Sequence, residues 1–287
     1  MKKQETLLDV QGLSKQFGKR VFFRDVSFKI RRQSIVGLLG PNGAGKSTVM
    51  KCLIGVYQPT GGQIKLTPGN AIGALIEEPA LYPFLTGKQH LKLFSPRNNR
   101  SLEVARFLGL TESALGKPVK DYSLGMKQKL GISLAFAGDP QLIILDEPMN
   151  GLDFRSTARL RDLLLAEKQA GKSFLICSHV LSELQKIIDE IIILNGGRVT
   201  FESTIAEIKH RFPVKVQITV APSPYLAGMD LGEAVVRGNR VLLPDQRQLN
   251  SVLGRLIKNR VRIIAIETSP FDLEQALLTE LGVTSNE

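Results

Sequence analysis

The sequence predicts an α/β protein with a mostly parallel sheet, a helical insertion subdomain beside it, and a small C-terminal α+β appendage. Three observations carry this. Short, continuously apolar runs (SIVGLL, LIILD at 142–146, FLICS at 174–178, IIILN at 191–195) alternate with helical patterns, and strands buried on both faces of a parallel sheet read in this way. Between about residues 79 and 140 the pattern changes to short amphipathic helices broken by Gly and Pro. From residue 213 strict alternation returns in VKVQITV and VRIIAIE on either side of a helical stretch, the mark of half-buried strands. Residues 1–212 are therefore expected to form one domain, with the insertion at about 79–140, and residues 213–287 a small accessory domain.

In order along the chain, Val21 to Ile35 reads as strand material, with VSFKI alternating, and SIVGLL continues it as a buried run. That run ends in GPNGAGKST, followed by helix-spaced Val49, Met50, Leu53 and Ile54. LIILD leads into an EP turn. FLICS leads into a helix with apolar positions Leu181, Leu184, Ile187 and Ile188, and IIILN leads through Gly196-Gly197 into the strand RVTF. In the appendage, AVVRGNRVLL reads as a strand region with a turn at Gly238-Asn239. Leu249, Val252, Leu253, Leu256 and Ile257 mark one helix face. The last helix opens with Ser269 as N-cap, Pro270 at the first helical position and Asp272 near the third, the order that helix starts favour. This β-β-α-β-α unit carries no recognisable chemistry, and a stabilising or dimer-supporting cap is its expected role.

Composition narrows the class. With 287 residues, 43% hydrophobic and 23% charged, the chain is long enough for one substantial core and an appendage. The formal net charge of +11 suits a nucleic acid, an anionic membrane surface, a nucleotide, or a merely solvated basic surface, and does not choose among them. Cys52 and Cys177 belong to no CxxC or Cys/His cluster and read as small core residues of a reducing compartment. Glu5 and Asp9 interrupt any signal-like run, and apolar stretches such as Ile191 to Leu194 fall far short of the ~18 residues of a membrane span. A cytoplasmic protein is expected, reaching a membrane only through a partner.

The chemistry sits in three places. Gly40-Pro41-Asn42-Gly43-Ala44-Gly45-Lys46-Ser47-Thr48 matches GxxxxGK[ST], after a strand and opening a helix. In such a loop backbone N–H groups turn inward on phosphates, the helix start adds positive partial charge, the lysine reaches the outer phosphates and the hydroxyl of Ser47 ligates Mg²⁺. The fold class is thus a P-loop NTPase, expected to bind a nucleoside triphosphate with Mg²⁺. Asp146 ends an apolar strand expected beside the P-loop strand, where its carboxylate meets Mg²⁺. Glu147 follows at the strand's mouth, where a carboxylate orients and deprotonates the attacking water. Ser123, Leu124 and Gly125 stand at a helix N-terminus running to Ala137, where a hydroxyl, a glycine N–H and the helix dipole make an anion site.

YSLGMKQ (122–128), LIILDEP (142–148) and NGLD (150–153), with the P-loop upstream and His179 downstream, occur in this order. On these motifs the chain resembles the ATP-binding subunits of ABC transporters over roughly residues 5 to 210. The resemblance implies an ATPase acting as a homodimer or pseudo-homodimer and driving separate transmembrane permease subunits at the inner face of the bacterial cell membrane. It implies that Ser123 and Gly125 face the γ-phosphate held by the other subunit, that Asp153 links the two sites, and that His179 hydrogen-bonds the γ-phosphate. Phe17, in KQFGKR, matches the aromatic that stacks on adenine, although a single Phe serves a core equally well.

Two departures from the family pattern bear on function. The signature's glycine and glutamine positions hold Leu124 and Met126, a variant that in the family remains active and is common in drug- and peptide-exporting members. In IGALIEEPALYPFLTG, Glu77 occupies the position of the glutamine that touches Mg²⁺ or its water and senses the permease. A glutamate keeps the oxygen ligand and adds charge. Such an E-loop resembles bacterial subunits that expel lantibiotics and related peptides for self-protection. The stretch Gly62 to Glu77 is also shorter than usual for the family. The alternative is a soluble ABC ATPase acting on nucleic acid or the ribosome. A second P-loop or a long coiled-coil insertion would mark it, and with neither present no nucleic-acid partner is expected.

Overall fold

The computed structural model describes residues 5–96, 98–222, 226–269 and 271–280 and divides into two compact units, Met1–Ile205 and Ala206–Glu287. The division lies upstream of the 212/213 boundary expected from the sequence. In chain order the first unit contains β1 (Thr6–Phe17), β2 (Arg20–Arg31), β3 (Ile35–Leu39), α1 (Lys46–Leu53), β4 (Gly61–Leu66) and β5 (Ile72–Leu75). There follow α2 (Gly87–Phe94), α3 (Arg100–Phe107), α4 (Glu112–Leu115), α5 (Leu124–Leu134), β6 (Leu142–Asp146), α6 (Phe154–Gln169), β7 (Ser173–Cys177), α7 (Leu181–Leu184), β8 (Glu190–Asn195) and β9 (Arg198–Thr204).

A six-stranded sheet in the order β5-β6-β7-β3-β8-β9 forms the centre. Its first five strands run parallel, and β9 returns antiparallel to β8. Every residue of β3, β6 and β7 is buried, which accounts for their unbroken apolar reading. A second sheet, β2-β1-β4, is antiparallel and shares the core through Leu8, Val10, Phe28 and Ile30. The sequence pattern did not single out β1, and repeated register shifts against β2 explain why its alternation is blurred. The material read as one stretch from Val21 divides into β2 and β3 around Gln33, at φ +57°. Between β5 and β6, the helices α2 to α5 close on their own core of Leu91, Ala105, Leu110, Leu115 and Leu130.

Three expectations are corrected. The strand ending in Asp146 does not lie beside the P-loop strand, because β7 stands between β6 and β3. The helix expected to run from Leu181 through Ile188 lasts one turn, since Asp189 N–H donates to Ile35 O and draws the chain into β8. The helix after the signature segment ends at Leu134 instead of Ala137.

The second unit follows α8 (Ile205–Arg211) with β10 (Val216–Val220), β11 (Val235–Arg237), β12 (Arg240–Leu243), α9 (Leu249–Lys258), β13 (Ile263–Thr268) and α10 (Leu273–Glu280). Its sheet, β11-β12-β10-β13, is antiparallel. Val252 and Leu256 of α9 pack on Val216, Ile218, Val241 and Leu243, whereas Ile257, expected on that face, is 65% exposed. Ser269 does not cap α10, because its N–H extends the sheet by donating to Lys215 O. Asp272 takes that place, its Oδ1 accepting from the Glu274 and Gln275 N–H groups; Pro270 lies outside the described residues. Among the described residues no helix is long and apolar enough to cross a membrane.

The approach of β5 to the end of α5 depends on Gly73, where a Cβ would run into the carbonyl oxygen of Ala135. Gly73→Ala should therefore destabilise the first unit by about 1–3 kcal/mol, the range for forcing an extra methyl into a filled core. The check is a lower urea midpoint at unchanged slope; an unchanged midpoint would mean that the strand and helix are not in this contact.

Candidate functional site

β3 delivers the chain to the loop at Gly40, which stands at φ +146° with no room for a Cβ before the carbonyl oxygen of Leu194. Both constraints admit only glycine. The loop folds so that Lys46 is buried and its Nζ donates to Gly40 O at 2.7 Å and Pro41 O at 3.0 Å. Ala44 packs into the core. The helix that leaves the loop begins after Gly45 with no side-chain cap, so the first-turn N–H groups are presented to whatever anion occupies the loop.

Ser47 Oγ donates to Asp146 Oδ2 at 2.6 Å. This bond spans the intervening β7 because it is made by the helix after the loop, not by β3 itself. Asp146 is buried at the end of β6. Glu147 then turns left-handed, at φ +48°, a conformation that costs a non-glycine residue on the order of 1–3 kcal/mol. Its N–H is held by Cys177 O at 2.9 Å. Its carboxylate accepts from the His179 backbone N–H, and His179 Nε2 lies 3.2 Å from Oε1. Gln128 is buried on α5 and donates to Glu147 O at 3.1 Å, so the backbone on both sides of Glu147 is anchored.

Glu77, two residues beyond β5, also stands left-handed at φ +60°. Its Oε1 accepts from Lys51 Nζ at 2.6 Å, and this bond holds Lys51 protonated beyond the ordinary lysine range. Glu77, Asp146, Glu147 and His179 line one cavity of about 730 Å³ together with Asn42, Gly43, Gly45, Lys46, Ser47 and Thr48. A pocket lined by a buried lysine, uncapped N–H groups and the four carboxylates of Glu77, Glu78, Asp146 and Glu147 is built for a phosphate chain and a cation.

The ABC transporter family model matches residues 23–150. The chain is 36% identical over 217 residues to the lantibiotic transport ATP-binding protein SrtF of Streptococcus pyogenes, covering 68% of this chain and 90% of that one. The chain belongs to the ABC transporter ATP-binding proteins. It is 30% identical over 302 residues to the uncharacterized ABC transporter ATP-binding protein YhcH of Bacillus subtilis (strain 168), covering 99% of this chain and 98% of that one. It is 35% identical over 226 residues to the bacitracin transport ATP-binding protein BcrA of Enterococcus faecalis, covering 72% of each. A solved ATP-binding subunit of an ABC transporter superposes with a TM-score of 0.66 at 33% identity, covering 72% of this chain and 93% of that one.

Within this ATP-binding subunit not every residue picked out from the sequence lines the cavity. Ser123, Gly125 and Asp153 do not. Ser123 caps α5, its Oγ accepting from the Met126 N–H, and Asp153 caps α6, its Oδ1 accepting from the Ser156 N–H. That capping holds the Asp153 carboxyl below the usual carboxylate range. Phe17 is also absent from the lining. Its ring meets Phe22 edge-on at 5.0 Å and Tyr57 at 5.1 Å, with Lys15 Nζ 4.5 Å from its centroid. Arg20 and Phe22, which do line the cavity, were not singled out from the sequence. Their signal is weak: Arg20 only closes KQFGKR, and Phe22 lies two residues beyond it in β2. Gln128 was missed although it closes YSLGMKQ, and Cys177 although it stands two residues before His179.

Cys177 lines the cavity yet is buried, and burial, then the neighbouring Asp146 charge, pushes its thiol far up from the ordinary value. Burial raises Cys52 as well, with Lys15 pulling the other way. Both are therefore protonated at pH 8, and the thiolate is the reactive form. Iodoacetamide at that pH should modify neither cysteine in the folded chain and both in urea, as read by intact mass. Rapid alkylation of Cys177 in the folded chain would contradict its burial.

Proposed function

We propose that this subunit binds and hydrolyses Mg-ATP as a dimer at the cytoplasmic face of a bacterial membrane, and drives separate permease subunits that expel an antimicrobial peptide. The observation that carries the ATPase reading is the convergence of Lys46, the Ser47–Asp146 pair and the left-handed Glu147 on one cavity. Antimicrobial export is supported by the names of SrtF and BcrA and by the glutamate at position 77. No observation favours the nucleic-acid alternative.

In this reading Lys46 and the N–H groups of the first turn of α1 bind the outer phosphates, as a desolvated cation and oriented dipoles do. Two oxygens 2.6 Å apart, Ser47 Oγ and Asp146 Oδ2, suit a hard cation that takes its remaining ligands from phosphates and water, which is the manner of Mg²⁺. Among the described residues no group of three or more His, Cys, Asp or Glu could hold a metal alone, so such a cation would arrive with the nucleotide. When bound, Mg²⁺ neutralises phosphate charge. Ser47 and Asp146 would hold it, with Glu77 as a further oxygen. Glu147 orients the attacking water and accepts its proton. His179 steadies the Glu147 carboxylate and offers its imidazole to the γ-phosphate. Ser123 and Gly125, outside the chain's own cavity, would act on nucleotide bound by a second subunit, with Asp153 at the same interface. Phe17 would stack on adenine directly or brace Phe22, which does so.

Two variants test this. Lys46→Ala should abolish tight binding of a fluorescent ATP analogue; equal affinity in wild type and variant would refute the P-loop assignment. Glu147→Gln should keep ATP affinity and lower turnover by a factor on the order of 10²–10³, the usual contribution of a positioned base. With ATP it should also accumulate as a dimer on a sizing column. Normal turnover would reject Glu147 as the base, and a persistent monomer, even with the permease present, would reject the dimer.

A further inference from the structure

Helix α1 holds a carboxylate on each of two successive turns. Ser47 Oγ donates to Asp146 Oδ2 at 2.6 Å, and Lys51 Nζ donates to Glu77 Oε1 at 2.6 Å. Residues four apart lie on one helix face, so the ammonium sits one turn below the hydroxyl on the side that faces the strand ends. Those strands are neighbours. β5 and β6 run parallel with Leu75 opposite Leu145. Glu77 and Glu147 therefore leave adjacent strand ends at the same level, both by left-handed turns.

Their counter-groups differ. Glu147 is faced by the amide and ring of His179, whereas Glu77 is bound by a full positive charge. Lys51 is not a free surface cation. Its side chain is 21% exposed, and its ammonium also lies 5.7 Å from the centroid of the Tyr57 ring, which stands nearly perpendicular to the Phe17 ring. A lysine held at two points loses little further entropy in keeping its partner.

We propose that Lys51 is a positioning residue that withholds the Glu77 carboxylate from the cation site, and so sets how tightly the nucleotide-loaded subunit takes its divalent cation. This rests on the reading of Ser47 and Asp146 as cation ligands. A carboxylate already paired with an ammonium is a poorer ligand than a free one. Replacing Lys51 with an uncharged side chain of similar length frees that carboxylate.

The experiment measures Mn²⁺ binding to the full-length, ADP-loaded chain from the free-ion signal in electron paramagnetic resonance, with no turnover involved. Lys51→Met should raise Mn²⁺ affinity about threefold to tenfold. Lys51→Arg, which keeps the charge, should stay within about twofold of wild type. In a Glu77→Gln background the gain from Lys51→Met should shrink to about twofold or less, because the two residues act as a pair. Asp146→Asn separates the two readings. If it lowers Mn²⁺ affinity while Lys51→Met changes nothing, the role of Lys51 is overturned and the cation site stands. If Asp146→Asn leaves affinity unchanged, the cation site falls, and the role of Lys51 with it. An equal gain from Lys51→Met with and without Glu77 would also overturn the proposal, since the charge would then act without the carboxylate.

Discussion

The hydrogen bond from Ser47 to Asp146 ties the start of α1 to a strand that is not its neighbour in the sheet. It fixes the position of the loop relative to the ends of β6 and β7, and Lys46 and Glu147 are each placed by one of those two supports. Lys46 depends on the loop, because its ammonium is held by carbonyls of Gly40 and Pro41. Glu147 depends on the strand ends, because its amide is held by Cys177 O and its carboxylate by the amide of His179. Building a site on rigid elements in this way leaves few side-chain torsions to settle when the ligand binds.

Much of this was legible in the sequence for a physical reason. A fully buried parallel strand reads as a nearly continuous apolar run, and β3, β6 and β7 are buried throughout, so the strands and the polar residues at their ends stand out without an alignment. Lys46, Ser47, Asp146 and Glu147 are conspicuous as charge or hydroxyl directly after such runs. Family resemblance added His179 and Glu77, whose local contexts say little. What stayed illegible was decided by tertiary contacts. Phe17 and Phe22 flank the turn between β1 and β2, and the sequence does not show that Phe22 lines the cavity while Phe17 packs edge-on against it. Helix α7 has an apolar spacing long enough for two turns, yet the bond from Asp189 N–H to Ile35 O draws the chain into the sheet after one.

The same competition between local and global preference explains the order β5-β6-β7-β3. Proximity in function suggests that the strand bearing Asp146 should adjoin the strand bearing the loop. Interposing β7 instead lets Cys177 O and the His179 amide approach Glu147 from the far side, so the glutamate is supported from two strands. An arrangement with β6 against β3 would place the loop where β7 now supplies those bonds.

Two of the cavity's glutamates, Glu77 and Glu147, stand in left-handed backbone against local preference, since β-region or helical torsions cost a glutamate nothing. Glycine would relieve both turns, but glycine carries no carboxylate. At Glu147 the strain is offset by hydrogen bonds to the backbone N–H, the backbone carbonyl and the side chain itself, which is the pattern of a residue held in one orientation. At Glu77 one contact stands out, the ion pair with Lys51, and the Glu77 side chain is 59% exposed. An exposed ion pair stabilises a protein by only about 0–1 kcal/mol, too little to impose that torsion. The turn must therefore come from the route of the chain between β5 and the helical insertion, with Lys51 selecting where the carboxylate rests once the turn is made. A strained backbone with a weakly held side chain can present that side chain to a different partner at small cost, whereas Glu147 cannot.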